Sequence, residues 1–177
     1  MRYAGIYDFD VSNGIGIRVS LFVQGCHFGC DGCFNPETWD FRNGYNYDED
    51  TEKYILNLCN KKYISGLSIL GGEPLHDLNV STVLKLCKDF KKRYPKKNIW
   101  LWTGFKMNNI VNSENKDRRE ILNYVDFLID GTFDKTKKKY NLVFRGSYNQ
   151  NIYEKYYDRW FLSHLNSIGN EDCDSKL

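Results

Sequence analysis

No apolar run in the chain approaches the ~20 residues that a membrane-crossing helix requires. Met1 to Asp10 carries acids and tyrosines where a secretory signal would have a basic segment followed by an apolar one. Both absences lead to the expectation of a cytoplasmic protein, in a compartment where thiols stay reduced and clustered cysteines read as metal or redox ligands. An excess of charge is missing too. Lys+Arg 25 against Asp+Glu 23 gives a formal +2, so nothing steers the whole molecule toward nucleic acid, and neither a nucleic-acid nor a membrane partner is expected. Internal repeats and low-complexity tracts are also lacking. The 177 residues, 41% of them hydrophobic, suffice for a single domain with a sizeable core. That domain is expected over residues 1–169, with a mobile polar tail at 170–177.

Four stretches read as strands: Ile17 to Gln24, Gly66 to Leu70, Asn98 to Thr103 and Val125 to Asp130. A glycine follows each, at Gly25, Gly71, Gly104 and Gly131. Between them lie helical patterns. Asp48 to Lys62 opens on capping acids and carries Tyr54, Ile55, Leu58 and Cys59 on one side. Val80, Val83, Leu84, Cys87 and Phe90 repeat at helical spacing until Tyr94-Pro95 stops them, and Arg118 to Tyr124 is a weaker helix. Strands alternating with helices predict an α/β fold with mostly parallel strands, open or curled into part of a barrel. A full eight-stranded barrel with its helices takes ~250 residues, so closure is expected to be incomplete. In such folds ligands lie outside the carboxyl ends of the strands, which would gather the four glycine-marked loops around one site. The basic run Lys135 to Lys139 reads as a solvated surface loop.

One further absence decides the chemistry. Cys26, Cys30 and Cys33 form a CxxxCxxC run with no fourth cysteine nearby, whereas all-cysteine iron–sulfur and structural zinc sites take four. The spacing allows an iron–sulfur cluster with one open iron. It also allows a zinc knuckle completed from elsewhere, with His27 as an awkward local ligand because it adjoins Cys26, or a disulfide beside a free thiol. Gly29 and Gly32 give the loop its freedom. Cys59 and Cys87 fall on apolar helix faces and read as small hydrophobes; Cys173, in the tail, has no assigned role. Gly71-Gly72-Glu73-Pro74 breaks the second strand sharply. Two glycines there bare the backbone to a ligand, and carbonyls with Glu73 would suit an ammonium group; the alternative is a tight turn with a solvated glutamate.

CxxxCxxC followed by GGEP resembles the radical S-adenosylmethionine enzymes. The resemblance implies an incomplete (β/α) barrel of the radical SAM type. It implies that Cys26, Cys30 and Cys33 ligate a [4Fe–4S] cluster whose unique iron is chelated by S-adenosyl-L-methionine. Gly32, Cys33, Phe34, Gly71, Gly72, Glu73 and Pro74 would line that cofactor, and Thr103 and Asp130, at strand ends, would face the same cavity. Many members have an aromatic residue where this chain has Gly32; Phe34 could offer the adenine a face instead. Asn13 to Arg18, Leu21 to Cys26, Cys33-Phe34-Asn35, Trp100 to Phe105, Asp130 to Phe133 and Phe144 to Gln150 are similar to the activating proteins of anaerobic (class III) ribonucleotide reductases. Ile15 departs from the proline usual there. This likeness implies reductive cleavage of S-adenosylmethionine to a 5′-deoxyadenosyl radical, which takes a hydrogen atom from a glycine of the large catalytic subunit of the reductase. The partners would be that subunit and a one-electron donor such as flavodoxin or ferredoxin. Two alternatives stand beside it: an activase of another glycyl-radical enzyme, of formate-lyase type, and a non-catalytic zinc or iron–sulfur module. Arg18 and Arg145 would pair with the cofactor carboxylate or an acidic surface of the reductase, or form structural ion pairs, and His76 carries no role.

Overall fold

In Ile17-Arg18-Val19-Ser20-Leu21-Phe22-Val23 residue types alternate, and a strand sends alternate side chains to opposite faces. The computed structural model describes residues 1–169 and builds the fold on that alternation; the expected tail, with Cys173, lies outside the described residues. The elements run β1 (Arg2–Asp10), β2 (Ile17–Val23), β3 (Tyr45–Asn46), α1 (Glu49–Leu58), β4 (Ile64–Gly71), α2 (Val80–Arg93), β5 (Asn98–Trp102), α3 (Met107–Val111), α4 (Lys116–Glu120), β6 (Phe127–Asp130), β7 (Asn151–Tyr156) and β8 (Arg159–Leu162).

All eight strands form one sheet in the order β3-β1-β2-β4-β5-β6-β7-β8. The four strands expected from the sequence are its centre, where β2, β4, β5 and β6 pair in parallel. On one flank β1 and β3 run antiparallel, and on the other β7 and β8 do so. The sheet ends at β3 and β8 and is not closed. The fold is thus mixed α/β around a parallel centre.

Val19, Leu21, Leu67, Ile69, Ile99, Leu101 and Leu128 point to one face and meet Ile55, Val83, Leu86, Phe90 and Ile110 from the helices, all fully buried. Burying each such side chain contributes about 1.5–3 kcal/mol, and this face carries the main core. The opposite face bears Arg18, Ser20, Phe22, Ser68, Trp100 and Trp102. Two chain segments cross it. The turn before β2 is held by Ser68 Oγ donating to the Asn13 carbonyl and by Arg18 donating to Ile15 O. The segment 131–150 is held by Trp102 Nε1 donating to Phe144 O at 2.7 Å. A smaller cluster of Trp100, Ile129, Ile152 and Leu165 forms beneath the latter.

Asp48 caps α1 by accepting from Thr51 N at 2.8 Å, as its acidic start suggests, but the helix stops at Leu58, before Lys62. The third expected helix begins earlier, as α4, and becomes a 3-10 turn over Ile121–Asn123. Among the described residues no helix is long and apolar enough to cross a membrane.

Candidate functional site

The four parallel strands end at one edge, and a cavity of about 480 Å³ opens there. Its lining includes Cys26, Cys30 and Cys33, then Phe34, Gly71, Gly72, Glu73 and Thr103. Gly32, Pro74 and Asp130 are not part of it. The volume lies within the ~300–1,000 Å³ usual for small-molecule sites.

The cysteine loop hangs from the end of β2 by backbone bonds. Gly25 N donates to Thr38 O at 2.7 Å, Cys26 N to Trp39 O at 3.1 Å, and Cys33 N to Cys30 O at 3.0 Å. All three thiols are half-buried and none is in a disulfide, which removes the expectation of a disulfide with a spare thiol. Burial pushes the Cys26 thiol up to about 11, against backbone N–H groups of Phe28 and Gly29 that pull it down. Burial also raises Cys30. The Asn35 amide donates to Cys33 Sγ at 3.4 Å. Among the described residues no three His, Cys, Asp or Glu side chains converge as the ligands of a single ion. His27 packs against His76 at 5.1 Å between ring centres, outside the cavity lining.

Glu73 is 1% exposed, so the solvated glutamate does not occur. Its carboxylate accepts from Leu75 N at 2.8 Å, Thr103 Oγ1 at 2.7 Å and Gly104 N at 2.8 Å. The end of β4 is thereby clasped to the end of β5. Burial outweighs these donors and lifts the carboxyl to about 7. Thr103 is committed to the same clasp, since its hydroxyl also accepts from Phe105 N at 3.1 Å. The glycines of the motif have a reason in addition to ligand access. A Cβ on Gly72 would lie 2.6 Å from Gly25 O, and one on Gly71, at φ +100°, would lie 2.9 Å from Phe22 Cα. The missing side chains let the end of β4 press against the entrance to the cysteine loop, where Gly72 N donates to Val23 O and Glu73 N to Gly25 O, both at 2.8 Å.

Three other expectations resolve differently. Asp130 sits at a strand end but turns from the cavity; its buried carboxylate accepts from Met107 N at 2.9 Å, at the start of α3, and from Asn151 N at 3.1 Å. Arg18 is fully buried and does not line the cavity, donating instead to Ser68 Oγ, Leu67 O and Asn98 Oδ1 at 2.6–2.9 Å, and burial lowers its pKa to about 10. No carboxylate pairs with it among the described residues. Arg145 does line the cavity and also donates to Gln150 O at 2.8 Å and Asn166 O at 2.6 Å. Cys59 and Cys87 are fully buried in the core, their thiols raised by that burial.

Asn79 went unnoticed in the sequence. Buried just before α2, its amide donates to both Gln24 O and Glu73 O at 3.0 Å, joining the cysteine loop to the GGEP turn. Only its position before an apolar helical run could have drawn attention to it, and that signals a helix cap rather than a bridge. Phe28, Trp102, Phe133 and Phe144 add apolar wall to the cavity; in sequence they are indistinguishable from core aromatics.

The donor set fits an iron–sulfur cluster. Three soft sulfur ligands stand on one lip of a cavity, and iron–sulfur clusters are held by such thiolates. Comparison with known proteins agrees. A family model described as a 4Fe-4S single cluster domain matches residues 12–153. The chain is 42% identical over 155 residues to the anaerobic ribonucleoside-triphosphate reductase-activating protein of Haemophilus influenzae, covering 86% of this chain and 97% of that protein. Proteins of the same name from Enterobacteria phage T4 and Escherichia coli are 42% and 37% identical, over 86% of this chain and 94% and 98% of theirs. By the extent of these matches, the chain belongs to the family of anaerobic ribonucleoside-triphosphate reductase-activating proteins.

Proposed function

We propose that the protein activates an anaerobic ribonucleotide reductase as a radical S-adenosylmethionine enzyme of the cytoplasm, its open sheet serving as the incomplete barrel of that superfamily. The observation that carries this is the meeting of three thiols and a glycine-rich strand end on one cavity. Cys26, Cys30 and Cys33 would hold a [4Fe–4S] cluster, and the Gly71–Glu73 turn with Phe34 would hold S-adenosylmethionine. Bound there, the two groups would supply reductive cleavage of the sulfonium to methionine and a 5′-deoxyadenosyl radical, the chemistry needed to take a hydrogen atom from a glycine Cα of the reductase and leave a glycyl radical there.

The chain's own residues bind, orient and exclude water. The raised Cys26 thiol is protonated in the free protein at neutral pH, so cluster assembly must displace that proton, and assembly should improve with rising pH. Glu73 is a positioning residue: its clasp to Thr103 and Gly104 fixes the turn against which the cofactor lies. Phe28, Phe133 and Phe144 give the cavity an apolar wall. Domain boundaries at 1–169 and 170–177, an electron donor of flavodoxin or ferredoxin type, and the absence of nucleic-acid and membrane partners complete the proposal.

The test is anaerobic. Reconstituted protein, reductant, S-adenosylmethionine and the large reductase subunit should give 5′-deoxyadenosine and a glycyl-radical EPR doublet. A doublet with a formate-lyase-type enzyme and none with the reductase would overturn the assignment.

A further inference from the structure

The segment 131–150 has an inner and an outer side. Thr132, Phe133, Phe144 and Gly146 line the cavity, while Lys138, Tyr140 and Tyr148 are exposed. The segment is ordered by its own bonds. Lys138 and Ser147 form an antiparallel bridge, Tyr148 N donates to Lys137 O at 3.0 Å, and Gln150 Nε2 donates to Gly131 O at 2.8 Å. On this braced loop Tyr140 is 95% exposed, and Phe34, across Lys138 from it, is about half exposed.

The charges of the basic run are not equivalent. Lys135 pairs with Asp31 at 3.6 Å and Lys137 with Asp134 at 2.8 Å. Among the described residues no carboxylate lies within ion-pair distance of Lys138. Its ammonium stands instead 5.2 Å from the ring centres of both Phe34 and Tyr140. The lip of the cavity is therefore a cation set among exposed rings; the aromatic rings are of the kind enriched at interfaces, and the lysine supplies the charge that selects the partner.

We propose that this lip docks the protein substrate, with an extended acidic segment of the glycine-bearing polypeptide lying across Phe34, Lys138 and Tyr140. A carboxylate of that segment meets Lys138, and a neighbouring apolar side chain covers the rings. The proposal rests on the function given above. Continuity with the cavity argues for this occupant, since a polypeptide that must place a glycine Cα inside the cavity has to cross its rim. The rim also adjoins the cysteine loop, through Phe34 and the Lys135–Asp31 pair, so an electron carrier is the occupant the experiment must separate from it.

The test uses the reconstituted holoenzyme with a chemical reductant, following glycyl-radical formation against reductase concentration in wild type, Lys138→Glu and Tyr140→Ala. Each variant should raise KM for the reductase about tenfold, the loss expected of one hot-spot side chain. Cluster absorbance, kcat and reductase-free formation of 5′-deoxyadenosine should stay at wild-type values, and Lys138→Glu should also flatten the salt dependence. Unchanged KM in both variants overturns the surface while leaving the function intact. A defect seen only when a protein electron carrier replaces the chemical reductant assigns the lip to the carrier and overturns the proposal. Wild type that forms no glycyl radical sinks the function and the surface with it.

Discussion

Replacing Glu73 with glutamine separates two forces that oppose each other at one buried carboxylate. Three donors, from Leu75 N, Thr103 Oγ1 and Gly104 N, aim at its oxygens and favour the ion. Burial favours the neutral acid and prevails, lifting the pKa from 4.5 to about 7. Because the folded value lies above the unfolded one, the native state holds the proton more tightly. This group's contribution to stability is full below pH 4.5 and is lost as pH rises through about 7. At about 1.4 kcal/mol per pH unit, the span amounts to about 3 kcal/mol. Glutamine does not titrate, and its NH2 confronts the Gly104 N–H, orphaning a donor at about 1–3 kcal/mol. At pH 8 relief from burying a charge offsets that misfit, and the two proteins should unfold within about 2 kcal/mol of each other. At pH 5 wild type regains the neutral acid, and the gap should widen in its favour by about 2–3 kcal/mol. Urea unfolding of the cluster-free proteins under reductant, at pH 5, 6, 7 and 8, measures this double difference. A gap that stays constant or narrows as pH falls refutes the reasoning.

Gly72→Ala puts a Cβ 2.6 Å from Gly25 O, directly before Cys26. It should cost about 1–3 kcal/mol and lower the iron bound per chain; a full iron complement with an unchanged urea midpoint would refute the packing argument. Cys30→Ala changes a half-buried loop side chain, so far-UV circular dichroism should be unchanged while the absorbance of the reconstituted cluster is lost. Arg18→Met strands the acceptors at Leu67 O and Asn98 and should destabilise by about 1–3 kcal/mol. Its cofactor affinity should match wild type, and a drop in affinity without a drop in stability would mean that Arg18 reaches the cofactor.

The parallel centre of the sheet was legible because β2, β4, β5 and β6 are buried on both faces and read as dense apolar runs closed by glycine. The flanks were not. β1 spells Arg-Tyr-Ala-Gly-Ile-Tyr-Asp-Phe-Asp, half-exposed and acidic at its end, and β7 is Asn-Ile-Tyr-Glu-Lys-Tyr, also mostly half-exposed. Strands near a sheet's edge need no continuous apolar signal, so pattern alone passes over them. β3, with two residues, has no pattern at all. At the site, the residues carried by motifs were found at the cavity except Gly32 and Pro74, and those inferred only from lying at a strand end divided. Thr103 is at the cavity and Asp130 is not, although the register sets them side by side, because the Asp130 carboxylate is taken up by Met107 N at the start of α3 and by Asn151 N.

A motif, likewise, locates chemistry more reliably than it assigns roles. Gly71, Gly72 and Glu73 read in sequence as a ligand-facing turn, and they do line the cavity. They are also held by the protein itself: Gly72 by Val23 and Gly25, Glu73 by Thr103 and Gly104. Asn79 adds a third tie, from the start of α2 to Gln24 and Glu73. Two loops distant in sequence are thus locked at one relative position, with the thiols on one and the glycine turn on the other. On the proposed function, a cofactor held between them would benefit from such preorganisation, because distance and orientation are set before it binds. A glycine in this turn therefore answers to two demands, and a substitution that satisfied the ligand alone would still displace the cysteine loop.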